Sequence, residues 1–476
     1  MRKYRIEKDF LGEIEIPDDA YYGIHTMRAV KNFPVSGFKV PAEFIRSLAE
    51  VKQACTAANI RARLITHETG NAVIKAAKEV AQGNLADQFI VDAFQGGAGT
   101  STNMNINEVL ANRAIEILGG NKGDYRIVDP LSHVNMSQST NDVYPTALKV
   151  AAIRLVVTLS EVIAQLQGAF QEKETAFAGI LKLGRTEMQD AVPITLGQEF
   201  GAYAEALARD RWRLFKVEER LRQVNLGGTA IGTGLNAERE YIYAAIEELQ
   251  NITGLGIARA ENMVDVTQNA DVFAEVSGLV KAAAVNLAKI AGDLRLLSSG
   301  PRGGLAEINL PQLQAGSSIM PNKVNPVITE MVTQAAYQVI SFDQAITLAA
   351  FSGQLELNAF LPLITFNLLT GLKILINAAT AFRVNCIEGL TADAGRCKQW
   401  LEESLCLVTA LAPYVGYDKA AELSKLAASQ GKTIRESAVE SGLFTEPELD
   451  VILSAAELTK PGIAGFHKLK RKKEGE

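Results

Sequence analysis

The feature that most constrains this chain is where proline is missing: none lies between Pro145 and Pro193, and none between Pro193 and Pro301. An interior proline removes a backbone hydrogen bond and costs a helix about 3 kcal/mol, so such stretches permit very long helices. The apolar pattern fills them. From Phe273 it runs Val276, Val280, Ala283, Leu287, Ile290, Leu294 and Leu297, alternating steps of three and four. A second series reads Leu148, Ala152, Leu155, Leu159, Val162 and Leu166. A third reads Phe200, Tyr203, Leu207, Leu214, Val217 and Leu221, with Asp210 interrupting where an apolar residue is due. Heptad spacing over so many turns predicts long helices packed at shallow angles, as in a bundle. A helix of about 25 residues is roughly 37 Å long, more than one small domain needs to cover itself.

Two further segments, Val327–Ala350 and Asn358–Phe382, carry so few charges that burial on nearly all sides is expected. Apolar surface in excess of what one chain can cover predicts a homo-oligomer. The part up to Asp142 has shorter helical runs, with Asp18-Asp19 and Thr66–Gly70 read as helix starts or turns. After Arg396 the pattern returns to short segments with turn residues, such as Thr445-Glu446-Pro447 and Lys460-Pro461-Gly462. The expectation is an all-α fold in three parts: residues 1–142, 143–396 and 397–476. The basic stretch Lys468–Lys473 reads as a solvated end.

Several function classes are excluded or weakened. The formal net charge is -6, from 54 acidic and 48 basic residues, which argues against nucleic acid as the main partner. The first ten residues, MRKYRIEKDF, hold no apolar core of a secretory signal. No run of about 18 uncharged apolar residues stands out, so no membrane span is expected, and the protein reads as cytoplasmic. Cys55, Cys386, Cys397 and Cys406 form no CxxC pair, and His25, His67, His133 and His467 are scattered. No metal-ligand cluster is therefore read, and the thiols are expected to be reduced and mostly buried.

Four polar, glycine- or proline-punctuated stretches interrupt the helical pattern: Gly96–Asn107 (GGAGTSTNMNIN), Ser132–Pro145 (SHVNMSQSTNDVYP), Gly184–Asp190 (GRTEMQD) and Gly316–Pro326 (GSSIMPNKVNP). Hydroxyls and carboxamides collect at helix caps and turns for purely structural reasons. Four such stretches between long helices, one with a lysine, also make a cradle for carboxylates and an oxyanion hole that needs no metal. Gly96–Thr100 lacks the Gly-Lys-Ser/Thr of a phosphate loop. Gly227–Gly234 (GGTAIGTG) lacks the βαβ context of a dinucleotide site.

GSSIMPNKVNP resembles the fingerprint loop of the aspartase/fumarase superfamily, GSSxMPxKxNP, at all eight defined positions of eleven. The likeness extends to Asp9–Gly37, GGAGTS, SQSTND and GRTEMQDAVPITLGQEF, so that the chain resembles the aspartate ammonia-lyases over essentially its whole length. The resemblance implies a three-domain helical fold and a homotetramer with a shared central bundle, each active site taking segments from three chains. It implies reversible removal of ammonia from aspartate to give fumarate. No cofactor is required, and a divalent cation such as magnesium would serve as an activator.

Elimination must take a weakly acidic proton next to a carboxylate, so the site needs a base and strong donors aimed at that carboxylate. By resemblance the base is Ser317, its alkoxide stabilised by backbone N–H groups and a nearby cation when the loop closes. Thr100, Ser139, Thr140 and Ser318 match positions that hold the reacting β-carboxylate. Lys323 and Asn325, with Thr186, match those that bind the α-carboxylate, and Asn141 matches the contact to the amino group. His133 reads as a structural or second-site residue, and Glu330 as a supporting acid or as a structural ion pair or helix-face residue. Glu187 departs from the pattern: class II fumarases have histidine there, and some aspartases histidine or glutamine. Its carboxylate either reads the substrate ammonium or faces away and pairs with Arg185 or another cation. Glu187 and Thr140 weigh against a fumarase, Lys323-Val324-Asn325 against argininosuccinate and adenylosuccinate lyases, and intact Ser317, Lys323 and Asn325 against a non-catalytic structural protein.

Overall fold

The computed structural model describes residues 3–469. Its described residues are mainly helical, with four two-stranded ladders as the only sheets. Five helices are long: Thr140–Ala176, Leu196–Leu221, Asp271–Leu297, Val327–Phe351 and Leu361–Phe382. The chain forms two compact units, each assembled from three separate stretches. The first takes Met1–Glu161, Asp210–Val285 and Ala335–Asn377; the second takes Val162–Arg209, Asn286–Gln334 and Ala378–Glu476.

The heptad positions of the Asp271–Leu297 helix are buried from Phe273 to Leu297. In the Leu196–Leu221 helix all six apolar positions are buried, and Asp210 is buried with them, bonded to Arg213 at 2.8 Å. In the Thr140–Ala176 helix the stripe is displaced. Leu155 and Val162 are only half-buried, while Val156, Ile163 and Phe170 take the inner face.

Within one chain the Val327–Phe351 helix is covered on one side. Val332, Ala336, Val339, Ile346 and Ala349 form a buried stripe, but Tyr337 and Leu348, with Phe351 at the helix end, stand exposed at 62%, 58% and 70%. The expectation of no membrane span is not overturned by the one helix among the described residues that passes on length and composition. Leu361–Ile387 is long and apolar enough by composition, yet 61% of its most apolar window is buried inside the molecule, and its Lys373 bonds Glu43 at 2.6 Å.

In the first unit the Ala42–Arg61 helix packs against His67–Ala81 and Arg239–Thr253. Thr66 caps the second of these, accepting the Thr69 N–H at 3.2 Å, while Asp18-Asp19 form a turn and the next helix begins at Ile24. Tyr4–Asp9 and Gly12–Pro17 pair as an antiparallel hairpin.

The second unit is built on a hairpin, Leu181–Thr186 with Gln189–Thr195, on which the Ala394–Glu403 helix packs. Leu401, Leu411, Leu423, Ile434, Leu449 and Ile452 fill the core of the short C-terminal helices. Thr433 with Glu436 and Thr445 with Glu448 form capping boxes, in which each side chain bonds the other's backbone N–H. Of the basic stretch, Lys468 pairs with Glu457 at 3.0 Å, and residues 470–473 lie outside the described residues.

Candidate active site

The predicted site residues fall into both units: Thr100, Ser139, Thr140 and Asn141 in the first, Thr186, Glu187, Ser317, Ser318, Lys323 and Asn325 in the second. Each group is built by local rules.

In the first unit two helix N-termini are tied together. Thr100 opens the Thr100–Ile117 helix behind Gly99, whose φ is 97°. A Cβ on Gly99 would lie 2.3 Å from the Tyr144 ring, so only glycine lets the strand of backbone approach this closely. Thr100 is exposed and its hydroxyl donates to the Gly97 carbonyl at 2.7 Å. Ser139 caps the Thr140–Ala176 helix, its Oγ accepting the Asn141 N–H at 3.2 Å. Asp142 reaches back to accept the Ser139 N–H at 3.0 Å, the reciprocal half of a capping box. Asn103, one turn into the first helix, donates to Thr140 Oγ1 at 3.1 Å and joins the two starts. Both helix starts carry the positive end of a helix dipole, which favours an anion.

Behind this surface lies a buried polar layer that sequence reading missed. Lys52, fully buried, donates to Asn135 Oδ1 at 2.9 Å and Gln138 Oε1 at 2.8 Å. Asn103 and Asn107 also donate to Asn135 Oδ1, each at 3.1 Å. Burial pushes the Lys52 ammonium down to about 7. Burial pushes the Asp142 carboxyl up to about 7, against N–H donors and Lys52 that favour its charge. The only cue in the sequence was the density of Asn in TSTNMNIN. His133 Nδ1 accepts the Asp129 N–H at 2.8 Å, a bond that its structural reading accounts for.

In the second unit, Gly316–Asn325 closes on itself. The Gly316 N–H donates to the Lys323 carbonyl at 2.8 Å, and Asn325 Nδ2 donates to the Gly316 carbonyl at 2.7 Å. A Cβ at Gly316 would stand 2.7 Å from both Asn325 N and Lys323 O, so a side chain there is excluded. Inside the loop the Ser317 hydroxyl oxygen accepts two backbone N–H groups, Ile319 at 3.2 Å and Met320 at 2.9 Å. Ser318 and Lys323 are exposed.

Thr186 and Glu187 sit at the tip of the hairpin. Thr186 pairs with Gln189, leaving a two-residue loop, and Glu187 and Met188 have φ of 52° and 67°. Two left-handed residues are the signature of a type I′ turn, the twist of which matches the flanking strands. Glu187 is exposed and has no ion-pair partner among the described residues. Arg185 is taken by buried Glu307 at 2.8 Å, with Lys182 on the other carboxylate oxygen at 3.0 Å, so the alternative pairing of Glu187 with Arg185 is not formed. Glu330 lies 3.8 Å from Arg295, the structural ion pair of its two readings. No group of three or more His, Cys, Asp or Glu that could hold a metal occurs among the described residues.

The lyase family pattern matches residues 12–341, and a fumarase C C-terminal pattern matches residues 407–460. The chain belongs to the lyase family. Relatives of this lyase include the aspartate ammonia-lyase of Bacillus subtilis (strain 168), 48% identical over 99% of both chains. The aspartate ammonia-lyase of Escherichia coli (strain K12) is 46% identical over 96% of both. Among solved structures, a fumarate lyase:delta crystallin from Brucella melitensis bound to cobalt is 48% identical with a TM-score of 0.93, covering 96% of this chain and 100% of that one. The class II fumarase of Schistosoma mansoni is 34% identical with a TM-score of 0.90, covering 96% and 98%.

Proposed function

We propose that this lyase is a carbon–nitrogen lyase that removes ammonia reversibly from L-aspartate to give fumarate, by anti-elimination through an aci-carboxylate. The observation that carries the chemistry is the Ser317 hydroxyl facing two backbone N–H groups. A serine is too weak an acid to serve as a base unless its alkoxide is stabilised, and fixed N–H donors supply that stabilisation without reorganisation. The substrate class is supported by the relatives, several of which are aspartate ammonia-lyases at 45–50% identity over nearly their whole length.

The roles follow from donor type. Thr100, Ser139, Thr140 and Ser318 hold the β-carboxylate on which charge develops. Lys323, Asn325 and Thr186 hold the α-carboxylate. Asn141 and Glu187 accept from the ammonium, which a free carboxylate attracts and a malate would not exploit. These groups do the work without a resident cofactor, and a divalent cation such as magnesium acts only as an activator. Exposed Tyr337, Leu348 and Phe351 support a homotetramer whose sites take residues from several copies.

Fumarate absorbance, followed with aspartate and separately with malate, tests the proposal. Aspartate turnover is expected; turnover of malate alone would make the chain a fumarase. Glu187→Gln should lower kcat/KM for aspartate, and an unchanged value would remove Glu187 from the amino-group contact.

A further inference from the structure

The glycine-rich stretch Gly227–Gly234 has no part in the roles above, yet together with Asn225 it meets the Ser139–Asp142 segment through four hydrogen bonds. Asp142 Oδ2 accepts the N–H of Gly227 at 3.1 Å and of Thr229 at 3.0 Å, while its Oδ1 holds the Ser139 N–H. Asn225, just before the stretch, donates to the Asn141 carbonyl at 2.9 Å. That carbonyl would ordinarily receive the N–H four residues on, but this residue is Pro145, which has none. Finally, Asn141 Nδ2 donates to the Ala230 carbonyl at 2.7 Å.

The last bond decides an orientation. A carboxamide has one donor end and one acceptor end, and a backbone carbonyl can only accept. The Ala230 carbonyl therefore fixes Asn141 with its NH2 turned to the loop and its Oδ1 turned away. An ammonium group has donors and no acceptor, so only the Oδ1 face can bind it.

We propose that the Gly227–Ala230 loop, clamped by Asp142, is the device that sets the Asn141 amide for the substrate's amino group, making Asp142 and Thr229 positioning residues for amine recognition. This rests on the aspartate reading above. It explains why the loop is built so tightly. The Thr229 hydroxyl closes it on the Leu235 carbonyl at 2.9 Å, and a Cβ at Gly232, whose φ is 90°, would stand 2.5 Å from Met263 O. It also explains a buried carboxylate whose partners, in this layer, are backbone N–H groups from both segments.

Asp142→Asn keeps the volume but turns one acceptor oxygen into a donor that opposes an N–H. The measurements are KM and kcat for aspartate, and the inhibition constant of succinate, a dicarboxylate of the same length without the amine. Expected is a rise of about tenfold or more in the KM for aspartate, with kcat falling less and the succinate constant moving less than twofold. Thr229→Ala, which removes only the closing hydroxyl, should shift the same ratio in the same direction by about threefold, and it keeps the test alive if Asp142→Asn does not fold. Equal changes for aspartate and succinate, or no change for either, would overturn the proposal. A wild-type chain inert toward aspartate would instead bring down the parent reading before any variant is made.

Discussion

The Ser317 hydroxyl oxygen lies 2.9 Å from the backbone nitrogen of Met320, three residues along the same loop, and accepts its N–H. The contact is local and therefore cheap to form, and it lowers the cost of removing the Ser317 proton. Ser317→Ala should reduce kcat by about 10²- to 10⁴-fold, the usual worth of a positioned base. Because the loop is largely exposed, the melting temperature should stay within about 1–2 °C of wild type. Fumarate absorbance and a circular-dichroism melt together check this; near-normal kcat would mean that the proton is taken elsewhere.

Gly316 carries a second prediction. Gly316→Ala places a methyl 2.7 Å from the Lys323 carbonyl and the Asn325 nitrogen, so the loop must open. Activity should drop by about tenfold or more while the fold persists, since misplacement by about 1 Å can cost 10²-fold. Wild-type activity in this variant would show that the closed loop is not the working one.

Glu307 has 0% exposure and is shared by Lys182 and Arg185. Removing one member of a buried charge network strands the others, at a cost of about 3–5 kcal/mol. Glu307→Leu should lower the urea midpoint strongly. Glu307→Leu combined with Arg185→Met should recover part of the loss, because Lys182 keeps Glu199 at 3.1 Å and the second change removes the guanidinium that lost its carboxylate. Simple additivity in that double variant would argue against coupling.

Asp92 gives the pH dependence. Burial alone would raise its carboxyl, but bonds from the Ser36 hydroxyl at 2.6 Å and from the N–H groups of Phe94, Ser36 and Gly37 at 2.8 Å bring it down to about 2. A carboxyl lowered by folding adds stability that is complete above its unfolded value, near pH 4, and is lost as the pH falls through about 2. Asp92→Asn should therefore cost about 1–3 kcal/mol at pH 7, with the difference from wild type shrinking toward pH 2. Urea titrations at pH 7 and pH 3 would show it; a gap that stayed constant would contradict the assignment.

Legibility in the sequence followed how many placements each pattern allowed. Phe273 to Leu297 allowed one register, and that stripe is the buried one. Leu155-Val156-Val157 offered three neighbouring apolar residues, and packing alone chose Val156. Helical periodicity on both sides masks the hairpin at Leu181–Thr195, although Ala191-Val192-Pro193-Ile194-Thr195 carries a strand's composition. Half-buried Ser317 and Asn141 and exposed Lys323 could be found because their motifs are contiguous. Lys52 and Asp142 could not, since their partners lie 83 to 87 residues away and nothing in FIRSLAEVKQ distinguishes a buried lysine from a surface one.

The two-residue turn that carries Glu187 also restricts what may replace it. With φ of 52° at Glu187 and 67° at Met188, β-branched residues are strained at both places, while Gly, Asn, Asp and His enter at small cost. The paired strands beneath keep their register whichever of these is chosen. Variation at the tip is thus filtered first by backbone handedness and only afterwards by the ligand. A saturation library at position 187 should recover folded protein for Asn, Asp, Gly and His more readily than for Val or Ile, so that any drift in substrate preference would be confined to a short alphabet.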